Sequence, residues 1–195
     1  LGVSGKMGVE LDSLADCVTF GVAPSAMLFS LFSKVAYPSF MANEFVFEVM
    51  PFTAFLMAAF SALRLAKFNI DERQHTGFIG MPTPANAIFW GALIASSEGW
   101  LTGPRFNAFF LFLFMMLFCW LLVCEVPMFA FKSLSWKKEK VKFLFLGLSA
   151  VILVVGAISG VAEGNVWIGL IRGVAECIGL YVVMSILASV LPGKE

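Results

Sequence analysis

The sequence predicts an all-α polytopic membrane bundle, and three observations carry that prediction. Hydrophobic residues fill 60% of the 195 positions and mean hydropathy is +0.92, while only 13% are charged, about half the share usual in a soluble domain. Six apolar stretches of spanning or near-spanning length follow one another, separated by polar, Gly or Pro punctuation. The cations, finally, are distributed very unevenly between the connecting segments, as membrane topology requires.

In chain order, the first span is expected at 11–32 and the second at 45–66, with a turn at 33–44 that contains Pro38. A polar loop, 67–80, leads to a shorter third span at 82–96, whose Pro82 and Pro84 suit a first helical turn. The fourth, 106–131, contains Pro127, which is expected to kink or end it. After the basic loop 132–142 come the fifth span, 143–161, and the sixth, 166–191. An odd–even alternation then puts ten cations, Lys132, Lys137 and Lys138 among them, on one side and only Lys34, Arg105 and Arg172 on the other. The positive-inside bias makes the first side cytoplasmic.

No internal repeat or linker to a soluble domain is evident, so residues 1–195 are expected to form a single membrane domain. Zero net charge, with no basic tract interleaved with aromatics, excludes nucleic acid as an expected partner. Cys17, Cys119, Cys124 and Cys177 lack metal-ligand spacing and read as reduced packing residues.

The chemistry concentrates at the start of the first span. On a helix, Gly8, Asp12 and Asp16 share one face. A bare glycine admits a close neighbour, and two carboxylates one turn apart offer oxygen ligands to a hard cation such as Mg²⁺ or Mn²⁺. Acids in an exposed first helical turn, favoured by the helix dipole, are the competing reading. A second group follows the second span: Arg64 and Lys67 are near neighbours at a helix end, suited to a phosphate or carboxylate. Snorkelling toward anionic lipid would explain the same cations. Asn69 reads either as a hydrogen-bonding partner for a ligand or as a helix C-cap.

Gly8-x3-Asp12-x3-Asp16, run on into Phe20-Gly21-Val22-Ala23-Pro24, resembles the second half of the signature of the CDP-alcohol phosphotransferases, Asp-x2-Asp-Gly-x2-Ala-Arg-x8-Gly-x3-Asp-x3-Asp. Within that family the likeness is strongest to its serine-accepting members. It extends to Arg64-Leu65-Ala66-Lys67-Phe68-Asn69, to Gly80-Met81-Pro82-Thr83-Pro84 and loosely to 127–135, with Lys67 standing where the family has arginine.

The resemblance implies transfer of a phosphatidyl group from CDP-diacylglycerol to the hydroxyl of L-serine, giving phosphatidylserine and CMP. It makes Asp12 a metal ligand, and Asp16 the general base and a second ligand, for Mg²⁺ or Mn²⁺. Gly8 would lie near the nucleotide, and Arg64, Lys67 and Asn69 would bind substrate. The protein is expected in the bacterial inner (cytoplasmic) membrane, surrounded by lipid, with its site facing the cytoplasm and a homodimer as its assembly. Leu1 lies inside the signature's spacer. The expectation is therefore that an upstream segment supplies the first half-signature and about two more helices, and that the chain from Leu1 is inactive alone. Inositol or glycerol phosphate as acceptor, or a cation transporter, are the alternatives.

Three further groups stand out. His75 reads as a solvated loop histidine, Arg172 and Glu176 are spaced to pair along one helix face, and Glu125 is expected deep in the fourth span.

Overall fold

The computed structural model describes residues 5–71, 78–128 and 140–190, except for the side chains of Lys6, Lys140 and Val190. His75 and most of the basic loop 132–142 lie outside the described residues. The chain divides into two compact units, Leu1–Asp71 with Gly99–Val123 and Glu72–Glu98 with Cys124–Glu195.

The first unit opens on a continuous helical rod: α1 (Lys6–Asp16), a π-helical turn (Cys17–Val22) and α2 (Ala23–Phe32). Pro24 explains the π turn. Proline has no N–H, and its ring crowds the carbonyl four residues back, so the helix widens over the preceding turn. Ser25 Oγ donates to the Gly21 carbonyl at 2.8 Å there. A second rod is made of α3 (Glu44–Val49), a 3₁₀ segment (Met50–Phe55) and α4 (Leu56–Ile70). Asn43 caps its start by accepting from the Phe45 N–H at 3.0 Å. The π turn packs on α4. A Cβ built on Gly21 would lie 3.1 Å from Ser61 Cβ and 3.4 Å from Ala58 Cα, so a larger residue there would push the two helices apart by a few tenths of an ångström.

α6 (Ala108–Val123) completes the first unit and packs on α4. Asn107 caps it through the Phe109 and Phe110 N–H groups, and Ala36 bridges to Asn107 in parallel. Leu28, Leu31, Phe32, Met57, Leu111 and Met115 are buried in this core.

In the second unit the two-residue strands β1 (Phe78–Ile79) and β2 (Pro127–Met128) pair antiparallel. Gly80, with φ 74°, turns the chain while its N–H donates to the Val126 carbonyl at 2.9 Å. α5 (Thr83–Leu101) breaks at Ser97, where Ser96 Oγ bonds back to the Ala92 carbonyl at 2.7 Å, a serine contact that bends helices; its last residues, from Gly99, belong to the first unit. α7 (Lys140–Ala162) and α8 (Val166–Val190) form an antiparallel hairpin. Its helices meet at glycines: a Cβ on Gly156 would fall 2.6 Å from the Gly169 carbonyl oxygen, and one on Gly160 would fall 2.9 Å from Gly169 N. Small residues four apart permit such crossings in membranes.

The all-α polytopic membrane class is borne out. Met7–Phe32, Glu44–Ile70, Val141–Ala162 and Val166–Ser189 are long and apolar enough to cross a bilayer. The other two expected spans are also helical but fall outside that group. α6 has 16 residues, or about 24 Å at 1.5 Å per residue, against a hydrocarbon core of roughly 30 Å. It stops at Val123 ahead of Pro127, so the expected fourth span, 106–131, is shortened at both ends. Glu125 therefore lies beyond the helix and is exposed, a correction to its placement deep in a span.

Candidate active site

Asp12 and Asp16 stand on successive turns of α1, Asp12 exposed and Asp16 half-buried. The difference follows from the rod's inward stripe. Ser13, Asp16, Cys17 and Phe20 are the half-buried positions of 11–20, and the stripe continues into buried Gly21, Pro24, Ser25 and Leu28. Positions three and four apart share a helix face, so Asp16 lies at the edge of the packed face and Asp12 just off it. Gly8 is exposed, and a Cβ there would meet nothing within 4 Å; no described part of the chain uses the close approach expected at this glycine.

Fifty-six residues further on, the C-terminal end of α4 reaches the same place. Asn69 Nδ2 donates to Ser13 Oγ at 2.9 Å, and Ser13 lies between the two aspartates in the chain. The Arg64 guanidinium is buried and sits over the Phe68 ring, 5.0 Å from its centroid. A buried head group is not snorkelling, so lipid attraction alone does not account for Arg64. Lys67 behaves differently: its Nζ donates to the Val123 carbonyl at 3.1 Å, satisfying the C-terminus of α6. The residue in the C-cap position of α4 is Asp71, so the cap reading of Asn69 does not hold.

Among the described residues, no group of three or more His, Cys, Asp and Glu side chains could hold a metal ion. Asp12 and Asp16 thus offer two carboxylates. That donor set suits Mg²⁺, which keeps several waters and is commonly held by one or two carboxylates plus substrate phosphates.

The four cysteines are unpaired with one another, Cys119 and Cys124 buried, as their packing role predicts. Arg172 departs from the sequence reading. Its two terminal nitrogens donate to both Glu163 carboxylate oxygens at 2.8 Å each. The fork reaches back across the turn through Gly164 instead of along α8 to Glu176. These charge-assisted bonds hold the exposed Glu163 carboxyl below its ordinary range. Sequence reasoning also missed the π turn, for which Pro24 was the signal, and the helix crossing, for which Gly156-x3-Gly160 and Gly169-x3-Gly173 were.

Fold and site together define a helical integral membrane protein that gathers acids, an arginine, a lysine and carboxamide at one end of its first unit. Comparison with known proteins finds relatives of one name. Over 155 residues, 77% of this chain, it is 33% identical to a CDP-diacylglycerol–serine O-phosphatidyltransferase of Helicobacter pylori (strain J99), covering 60% of that protein. Proteins of the same name from Mycobacterium tuberculosis (strain H37Rv) and Bacillus subtilis (strain 168) are 36% identical over 121 residues and 40% over 88, covering 38% and 42% of their lengths. The chain thus spans from about two-fifths to three-fifths of the length of these curated relatives. No protein-family model matches the chain, and no solved structure matches it. The resemblance read from Gly8 through Pro24 is borne out at the level of the family.

Proposed function

We infer that this protein transfers a phosphatidyl group from CDP-diacylglycerol to L-serine, releasing CMP. The observation that carries the reading is the Asn69–Ser13 bond, which brings the α4 string and the acidic helix, each resembling a motif of the same family, to one end of one unit. The serine hydroxyl oxygen attacks the lipid-bearing phosphorus. The bond from that phosphorus to the CMP oxygen breaks, and CMP leaves with the electron pair. Asp16, at the edge of the packed face, takes the hydroxyl proton as general base. Arg64, fixed by burial and by the Phe68 ring, supplies a positive charge to a phosphate or to the serine carboxylate. Asp12 and Asp16 would hold Mg²⁺ or Mn²⁺, which when bound neutralises charge on the pyrophosphate and its leaving group.

Lys67 keeps a structural bond to Val123, so a substrate role for it would draw on its remaining donors. The cytoplasmic membrane as location, and the cytoplasm as the side the site faces, complete the proposal; they rest on the asymmetry of the cations.

The test is CMP release by the full-length protein in detergent or vesicles, supplied with CDP-diacylglycerol and serine, inositol or glycerol phosphate in parallel. Serine-dependent release is expected. Release with inositol or glycerol phosphate alone would keep the chemistry and overturn the acceptor, and no release with any of the three would overturn the enzyme reading.

A further inference from the structure

We propose that Asn69 is a positioning residue which, through Ser13, sets the rotation of the acid-bearing helix; the proposal rests on the reading of Asp12 and Asp16 as the metal-binding pair. The π turn and α2 pack on α4, and two of the described contacts bracket Asp16. One is Gly21, whose backbone sits against Ala58 and Ser61. The other is Ser13, bonded to Asn69. The two points are eight residues apart on each helix, about 12 Å at 1.5 Å per residue, as antiparallel helices in register require. Asp16 lies between the two attachments, and Asp12 lies one residue beyond the second.

The burial of α1 shows why the second attachment matters. Among the described residues, every position from Met7 to Ala15 except Ser13 is exposed, so the Ser13 bond is where this end of the rod is tied to α4 by a side chain. A twisting turn of this end of the rod would change the angle from which both carboxylates meet a shared ion. The carboxamide–hydroxyl bond opposes that turn. It also gives Asn69 a task other than touching substrate.

Mn²⁺ binding to the purified full-length protein, followed by electron paramagnetic resonance with Asp12→Asn as the blank, tests this without recourse to turnover. Asn69→Ala and Ser13→Ala should each weaken Mn²⁺ binding by roughly 2- to 10-fold, the span of one net hydrogen bond. The double variant should be no weaker than the worse single one, because both remove the same bond. Ser13→Thr, which keeps the hydroxyl, should bind as the wild type does. Both side chains lie at the surface or half-buried, so all variants should fold. Additive losses, or unchanged Mn²⁺ binding in either single variant, would overturn the proposal. So would a raised serine KM in Asn69→Ala that Ser13→Ala does not share, since that would place Asn69 on the acceptor. If the Mn²⁺ pattern holds while the wild type releases no CMP, the phosphatidyl-transfer reading fails and the positioning role stands.

Discussion

At the scale of single residues, the acids and the buried arginine separate by what each can lose. Asp16→Asn keeps the size and hydrogen-bonding surface of the side chain but cannot accept the serine proton. CMP release should fall by about 10²- to 10⁴-fold, the usual worth of a general base, with the thermal midpoint unchanged. Near-normal turnover by the folded variant would remove Asp16 from the base role. Arg64→Ala deletes a charged donor worth roughly 1.5–3 kcal/mol in a charge-assisted bond. If it holds the serine carboxylate, the apparent serine KM should rise about ten-fold or more; a fall in kcat at constant KM would put Arg64 on lipid phosphate. Glu163 answers to pH instead. Its carboxyl is held low by Arg172, so the bridge stabilises the fold above the unfolded carboxyl pKa of about 4.3 and is lost as pH falls through the lower folded value. The melting temperatures of wild type and Glu163→Gln should differ at pH 7 and converge in acid. A constant gap between them would show that the bridge contributes nothing.

At the scale of elements, the α7–α8 hairpin depends on close approach at glycine. Gly169→Ala would drive a methyl into Gly156 and Gly160 backbone, whereas Gly147→Ala on the same hairpin meets nothing within 4 Å. Overpacking of this kind typically costs about 1–3 kcal/mol, and replacing an open helical glycine gains up to about 1 kcal/mol. Denaturation in detergent should separate the two variants in opposite directions; equal midpoints would show that the crossing tolerates a methyl. The helices themselves were legible in the sequence because spanning propensity is a sum over some twenty residues, which no single position can reverse. The second and sixth spans, expected at 45–66 and 166–191, appear as Glu44–Ile70 and Val166–Ser189. Pro127 marked the end of α6 without showing that the helix would stop at Val123. The pairings were not legible. Arg172 finds Glu163 only because a glycine turn folds the chain back, and Asn69 finds Ser13 only because two rods run antiparallel. The acids at positions 12 and 16 could be read from spacing alone, since α-helical geometry places them without any help from tertiary structure.

At the scale of the whole molecule, hydrogen bonds between elements sort the connecting segments into sides, unit by unit. In the first unit, Ala108 N–H donates to the Ala36 carbonyl at 2.9 Å, joining 33–43 to 102–107. Lys67–Val123 and Asn69–Ser13 join the opposite ends of the same helices. In the second unit, Phe78–Ile79 pairs with Pro127–Met128, joining the segments that follow α4 and α6. Each contact links ends that the odd–even alternation assigns to one side. Aromatics distinguish the Ala36 end of the first unit: Tyr37 stacks edge-on against Phe47, Phe40 against Phe109, and Trp100 tilts against Phe106. Tyr37 and Trp100 are of the types that favour the headgroup level of a bilayer, whereas the other end carries Arg64 and Lys67. On the proposed function, the ten-to-three division of cations would put the Lys67 end in the cytoplasm, where a CDP-linked lipid and a free amino acid would be met together. Single cysteines placed at Ser39 and Ser135 in an otherwise cysteine-free protein test the assignment. In intact cells a membrane-impermeant maleimide should label position 39, which is exposed on the aromatic side, and should reach position 135 only after the membrane is opened. Labelling of position 135 in intact cells, with position 39 protected, would invert the molecule. It would also place Asp12, Asp16 and Arg64 on the outer face, against the proposed function.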